Sequence, residues 1–322
     1  MKAEFDLTTT PLINTPIIIG CNVFGWTLDK AASFEVLDAL FETGFRTLDT
    51  ANIYSAWVDG NTGGESETII GEWMKSRNNR DQMTLITKVG MEVHGEQGLA
   101  KDYILRANEA SLKRLQTEYV DVYLSHQEDP ETPIEETLEA YQILLDQHKV
   151  KTIGASNYCF EGLKASIEKA QHSGLPLYQI YQPSYNLYDR EDFETQYQDF
   201  CQTHHIAVIP YWALASGFLT GKYRKTGDAG LSQRGDGVVN KYLNARGERI
   251  LNALDDISAS TGASQAAIAL AWLMAQPTIA APIASVTKAS HIEALRTAAA
   301  LKLSTEHLDT LNQASAPLAV PQ

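Results

Sequence analysis

Cysteine is scarce in this sequence: Cys21, Cys159 and Cys201 are three in number and lie far apart. The odd count and the lack of a CxxC pair argue against a disulfide framework or a zinc knuckle. Free thiols in a reducing cytosol are the expectation. Basic runs are also missing, and the formal net charge is −14. A nucleic-acid binder normally carries a basic patch, so no such partner is expected. The acidic surplus argues for solubility, and an anionic ligand would have to be held by local cations and helix N-termini. Long apolar runs are absent: Pro16–Cys21 is far too short to span a bilayer, and Met1–Pro16 is polar and Thr-rich with no apolar signal core. No membrane partner and a cytoplasmic location are therefore expected. No HExxH or His/carboxylate spacing suggests a metal site. No repeat, low-complexity tract or linker divides the chain, which reads as a single domain over residues 1–322.

What is present is an alternation of short β-type runs with amphipathic helical stretches. Strands are expected at Ile17–Ile19, Phe45–Asp49, Met83–Val89, Tyr119–Ser125, Val150–Gly154, Leu177–Tyr181, Ile206–Pro210 and Thr278–Ile283. Helices are expected at Lys30–Thr43, Glu65–Ser76, Ala100–Gln116, Pro133–Gln147, Phe160–His172, Asp192–His204, Ala245–Ser260, Ser264–Ala275, Ser290–Ala300 and Thr305–Ala314. Between Pro210 and about Asn240 the sequence reads as a long glycine-rich loop. A parallel α/β fold follows from the alternation. A doubly wound sheet would announce a dinucleotide site with GxGxxG after its first strand; none occurs, and Gly235-Asp236-Gly237 lacks the third glycine. Eight βα units without that fingerprint favour a (β/α)8 TIM barrel with extra C-terminal helices.

In such a barrel the active site lies at the C-terminal strand ends. Those ends carry Asp49, Lys88, His126, Ser156-Asn157, Gln182 and Tyr211-Trp212, with Tyr54 in the loop after Asp49. A free tyrosine has a pKa of about 10, too high for an efficient proton donor at neutral pH. A neighbouring Lys88 ammonium would lower it, and Asp49 would supply the carboxylate that a buried lysine needs. His126 would donate a hydrogen bond to a carbonyl oxygen. The hydride would have to come from a cofactor, since no side chain supplies one. Taken singly, Asp49 reads as a strand-end cap, Tyr54 as a packed loop aromatic, Lys88 as a surface charge and His126 as a structural histidine. Their joint placement at strand ends is what points to chemistry.

The motifs around these residues are specific. Gly44-Phe45-Arg46-Thr47-Leu48-Asp49-Thr50-Ala51-Asn52-Ile53-Tyr54 closely resembles the aldo-keto reductase signature around its catalytic aspartate and tyrosine. Leu85-Ile86-Thr87-Lys88 resembles the lysine strand of that family, and Tyr119–His126 its histidine strand. Ile153-Gly154-Ala155-Ser156-Asn157 resembles its nicotinamide-contacting segment. The motifs occur in family order over nearly the whole chain.

The resemblance implies an NADPH-dependent reductase of aldehydes and ketones, with Tyr54 as general acid, Lys88 and Asp49 as its tuning pair, and His126 orienting the substrate. Ser156, Asn157 and Gln182 would hold the nicotinamide carboxamide, and Tyr211 would stack on its ring. The segment from Trp212 to Lys222, with Ala213, Leu214, Gly217, Leu219 and Gly221, resembles the family's pyrophosphate loop; its glycines allow close backbone approach and Lys222 adds a positive charge. Ser285, Thr287, Lys288 and His291 fall where relatives grip the adenosine 2′-phosphate. Many relatives have arginine near Thr287, glutamine or arginine at His291 and asparagine at Leu295. Here Lys288 is the only fixed cation in that segment, and lysine lacks the bidentate fork of arginine, so NADH use stays open beside NADPH. Phe24, Trp26 and Trp57 would form an apolar wall around a small carbonyl substrate. A Schiff-base lyase using Lys88, and a non-catalytic nucleotide-sensing subunit, are the competing functions. A monomer or weak homo-oligomer is expected.

Overall fold

The computed structural model describes residues 10–12 and 14–317. The Met1–Thr9 part of the polar N-terminal stretch lies outside the described residues. Eight parallel strands form one sheet in the order β7-β6-β5-β4-β3-β2-β1-β8. They are β1 (Ile18–Gly20), β2 (Thr47–Asp49), β3 (Thr84–Val89), β4 (Val120–Ser125), β5 (Val150–Ser156), β6 (Ile180–Gln182), β7 (Ala207–Val208) and β8 (Ile283–Ala284). The sheet curls until its edges meet: Val208 and Ile279 form a parallel bridge. There Val208 N donates to Thr278 O at 3.1 Å and Ala280 N donates to Val208 O at 2.8 Å. The result is the expected (β/α)8 barrel, which leaves no free sheet edge.

The first five strands are followed by α1 (Lys30–Glu42), α2 (Glu65–Arg77), α3 (Lys101–Leu115), α4 (Ile134–Asp146) and α5 (Phe160–Ser173), and β6 by α6 (Gln198–Thr203). After β7 come α7 (Gly235–Tyr242), α8 (Ala245–Thr261) and α9 (Gln265–Ala275), and after β8 come α10 (Ile292–Ala300) and α11 (Thr305–Ser315). Caps agree with the chemistry of the ends. Asp29 accepts from Ala32 N before α1, and Ser264 and Ser304 do the same for α9 and α11. No helix of the described residues is long and apolar enough to cross a membrane.

Successive strand residues point to opposite faces, and this splits the core in two. Ile18, Ile86, Val122, Leu124 and Ile180 fill the barrel interior. Leu48, Leu85, Val89, Tyr123 and Tyr181 pack outward against the helices. Asp49 follows outward Leu48, and Lys88 lies two residues after inward Ile86. His126 lies two residues after Leu124, and Gln182 two after Ile180. Parity therefore aims all four side chains at the barrel axis.

Three elements differ from expectation. The span after Pro210 is not one loop: it holds 3-10 turns at Ala215–Thr220 and Thr226–Leu231 and then α7. Gly235 and Gly237 hide this helix, since glycine disfavours helix interiors. Buried Val238, Val239 and Tyr242 stabilise it, with Tyr242 OH donating to Asp189 Oδ2 at 2.7 Å. The Asp192–His204 stretch is a π turn over Phe193–Tyr197 followed by α6. The eighth strand is Ile283–Ala284, displaced from the expected Thr278–Ile283: residues 278–280 bond to β7 as an isolated bridge, and Pro282 between them brings no N–H to a ladder.

Close helix packing sets one constraint that a mutation can probe. A Cβ on Gly71 of α2 would sit 2.2 Å from Arg114 O at the end of α3. Gly71→Ala is expected to destabilise the fold by about 1–3 kcal/mol. Denaturant unfolding measures this, and an unchanged midpoint would show that α2 and α3 can separate freely.

Candidate active site

A groove of about 1340 Å³ opens at the C-terminal ends of the strands. At its base lies Lys88, 0% exposed, beside Asp49, 3% exposed. Lys88 Nζ donates to Asp49 Oδ2 at 2.8 Å, to Thr50 O at 2.7 Å and to Tyr54 OH at 3.3 Å. Its three protons are thus all placed, as a buried ammonium requires.

The polar residues of successive strand ends are joined to this centre. Gln182 Nε2 donates to Asp49 Oδ1 at 2.9 Å, and Ser156 Oγ donates to Gln182 O at 2.9 Å. Asn157 Nδ2 donates to Ser156 Oγ at 3.2 Å and to His126 O at 2.8 Å. Tyr211 OH donates to Asn157 Oδ1 at 2.7 Å. One hydrogen-bonded chain therefore runs from Tyr211 to Tyr54. Tyr54 also meets His126 edge-on, with ring centroids 5.8 Å apart.

Electrostatics assign protonation states. Burial draws the Lys88 pKa down, but Asp49 and Tyr54 outweigh it, and the net direction is up. Burial pushes the Tyr54 phenol up; Lys88 pulls it down, while Asp49 and Cys21 push with burial, and the phenol ends above its ordinary value. The lowering expected from Lys88 is present but does not win, because the same buried site carries the Asp49 charge. At neutral pH the phenol keeps its proton. Burial, aided by the Lys88 charge, holds the His126 imidazole well below its ordinary value, so the ring is neutral. Its Nδ1 is buried with no hydrogen-bond partner among the described residues.

The rest of the groove extends from this centre toward α10. Trp212, Ala213, Leu214, Gly217, Lys222, Ser285, Thr287, Lys288 and His291 all line it. The chain turns sharply there: Trp212, Ala215, Ser216 and Gly217 have φ of 55°, 48°, 54° and 94°. Burial and then the Lys288 and Lys222 charges lower the His291 pKa, so these three side chains face one region. Leu219 and Gly221 do not line the groove. Leu219 is buried, and Gly221 turns at φ 77° against Gln265. Trp26 and Trp57 form a wall, ring centroids 5.7 Å apart, with Trp57 edge-on to Tyr54 at 5.7 Å. Phe24 is not part of that wall: it is fully buried behind Ser55, whose Oγ donates to Phe24 O at 2.9 Å.

Several lining residues had no sequence signal. Arg234 lies just before α7, in the span read as loop, with its guanidinium 4.6 Å from the Trp26 ring centroid. Asn22 accepts from Ser285 Oγ at 2.9 Å across the β1–β8 junction. Leu231 (58% exposed), likewise without a signal, joins the expected Trp57 (48%) and Trp212 (47%) in lining the groove. Such clustering of exposed apolar side chains marks a binding face.

The site is thus a groove at the strand ends of a parallel (β/α)8 barrel, with amide and hydroxyl groups at one end, cations at the other and aromatic walls. The profile of the Aldo/keto reductase family matches residues 16–316. The chain belongs to this family. It is 32% identical over 304 residues to Aldo-keto reductase YhdN of Bacillus subtilis (strain 168), covering 91% of this chain and 86% of that one. It is 30% identical over 290 residues to L-glyceraldehyde 3-phosphate reductase of Escherichia coli O157:H7, with 86% and 82% covered. It is also 29% identical over 276 residues to a protein of Oryza sativa subsp. japonica named probable voltage-gated potassium channel subunit beta, with 84% and 82% covered. Membership in the family implies oxidoreductase activity with a nicotinamide cofactor on small carbonyl compounds.

The depressed His126 pKa has a consequence for stability. The unfolded ring takes up a proton near the ordinary histidine value of about 6.5, and the folded ring does not. Acid therefore favours the unfolded chain: this stability is present above that pH and is lost as pH falls below it. Between about pH 7 and about pH 5, His126→Asn is expected to lose less stability than the parent. Denaturant titration at both values tests it, and equal losses would contradict a neutral buried imidazole.

Proposed function

We propose that this protein reduces aldehydes or ketones to alcohols with NADPH, Tyr54 serving as the general acid. The observation that carries the reading is the Tyr54 hydroxyl 3.3 Å from the Lys88 ammonium in the wall of the groove, with Asp49 beneath. Tyr54 gives its proton to the carbonyl oxygen as the alkoxide develops, and Lys88 stabilises the phenolate left behind. Neutral His126 donates a hydrogen bond to the same oxygen and orients the carbonyl. The nicotinamide, when bound, supplies the hydride.

The groove suits that cofactor in its chemistry. Ser156, Asn157 and Gln182 carry the amide and hydroxyl groups that a carboxamide needs, and the Tyr211 ring borders them. Lys222 meets the pyrophosphate charge, with Gly217 allowing close approach. Lys288, His291 and Thr287 meet the adenosine end, and Ser285 bridges to Asn22. Trp26 and Trp57 border the substrate. These local cations answer the −14 net charge of the chain. The E. coli relative is named for reducing a phosphorylated aldehyde, which agrees with a carbonyl substrate here.

Lys88 as an imine-forming nucleophile is disfavoured, since that role needs a neutral amine and Lys88 is held as an ammonium by Asp49. A sensing role, suggested by the relative named as a channel subunit, leaves the complete Asp49, Tyr54, Lys88 and His126 set without a purpose.

Tyr54→Phe is expected to lower kcat by about 10²-fold or more while leaving NADPH binding unchanged. Steady-state rates with an aldehyde panel and cofactor fluorescence titration measure the two effects; turnover at the parent rate would remove Tyr54 from the donor role. Lys288→Ala is expected to weaken NADPH by about tenfold and NADH hardly at all. Equal weakening of both would move the 2′-phosphate contact elsewhere.

A further inference from the structure

We propose that Glu65 is the positioning residue that holds Tyr54 at the reacting carbonyl. Glu65 opens α2, and its carboxylate turns back under the loop that carries Tyr54. Ser55 N, the amide directly after Tyr54, donates to Glu65 Oε2 at 3.2 Å. From the far end of the same loop, Thr62 N donates to Glu65 Oε1 at 2.7 Å, and Gly63 N donates to both oxygens at 3.2 and 3.0 Å. One carboxylate thus gathers three backbone amides from both ends of a loop that has no regular structure of its own. Hydrogen bonds from backbone donors to a charged acceptor are among the stronger ones.

The neighbouring geometry gives this clamp a direction. Tyr54 O accepts from Gly64 N at 2.9 Å and from Ser66 N at 3.3 Å, so the Tyr54 carbonyl is also tied to the first turn of α2. The peptide after Tyr54 is thus held on its N–H by Glu65 and on its carbonyl by the start of α2, and the carbonyl of the next peptide, Ser55 O, accepts from Asn61 Nδ2 at 3.2 Å, which also donates to Gly25 O at 2.9 Å. Gly25 packs directly on Glu65: a Cβ there would lie 2.9 Å from the Glu65 Cβ, at φ +76°. The tie therefore reaches the loop that bears Trp26. Tyr54 sits in a loop, whereas Asp49 and Lys88 sit on strands, and its phenol reaches the strands through Lys88 Nζ at 3.3 Å. Its backbone is pinned by the Tyr54 carbonyl's bonds to the start of α2 and, at the adjoining amide, by the Glu65 carboxylate, which also ties the far end of the loop. A misplacement of about 1 Å in a reacting group costs about 10²-fold in rate.

The inference rests on the reading of Tyr54 as proton donor, and a double-mutant cycle separates the two. Glu65→Ala is expected to lower kcat by about 10- to 100-fold, with KM and cofactor affinity unchanged. Glu65→Gln keeps one acceptor oxygen and is expected to recover kcat partway. The alkaline limb of the kcat–pH profile is expected to move in Glu65→Ala, because Tyr54 loses its fixed relation to the Lys88 charge. In the Tyr54→Phe background, Glu65→Ala is expected to add no further loss. Parent kcat in Glu65→Ala overturns the proposal, as do losses that multiply in the double variant. A kcat loss that tracks lower cofactor affinity and melting temperature, without recovery by Gln, also overturns it. Should Glu65→Ala not fold, Glu65→Gln alone decides: parent kcat and pH profile refute the clamp, and lowered kcat with parent cofactor affinity supports it. Parent turnover in Tyr54→Phe sinks the donor reading itself, whatever Glu65 does.

Discussion

The buried ion pair between Lys88 and Asp49 is the constraint around which the mouth of this barrel is organised. An ammonium taken out of water costs several kcal/mol unless its charge is met and its protons are placed. Here the partners are Asp49, the Thr50 carbonyl and the Tyr54 hydroxyl. Asp49 in turn needs a donor for its second oxygen, and Gln182 supplies it. Lys88 comes from β3, its partners from the end of β2 and the loop after it, and Gln182 from β6, so the pair is satisfied only when the strands are in register. Stability of the centre and assembly of the site are the same requirement.

That centre also explains the protonation pattern. A positive and a negative charge side by side in a dry site leave little net field, so burial decides the state of the phenol. Tyr54 stays protonated and His126 stays neutral, both through desolvation. A protonated phenol and a neutral imidazole are hydrogen-bond donors toward an oxygen atom. The groove beyond them is graded: apolar at the mouth, amide-rich along the middle strand ends, and cationic toward α10. An acidic protein can hold an anionic ligand there because a few cations at short range outweigh screened surface charge at long range.

Much of this was legible from residue order. Helices with strong apolar periodicity, such as α3 and α4, lie within one residue of their expected bounds. Asp49, Lys88, His126 and Gln182 were found because each closes a short apolar run, and alternation within a strand then fixes which way it points. Elements whose stability comes from distant packing were not legible. The helix α7 begins with Gly235-Asp236-Gly237, a poor helix sequence, and owes its form to buried Val238, Val239 and Tyr242, with Tyr242 stacked on Phe218 of the Ala215–Thr220 turn. Phe24 was expected beside the substrate, yet it faces the core, because position in a loop says nothing about side-chain direction. Arg234 and Asn22 reach the groove from segments with no local signal at all.

Residue order by itself determined the eight-unit alternation, the family motifs and the identity of the four polar groups at the centre. Those features are local, set by periodicity of about 2 or about 3.6 residues and by short spacings. The tertiary structure alone decided which of those groups touch, the upward direction of the Tyr54 pKa, and the role of Glu65 as the tie that joins both ends of the Tyr54 loop. These depend on distances between residues far apart in the chain and on the removal of water around them. Neither quantity exists until the barrel closes.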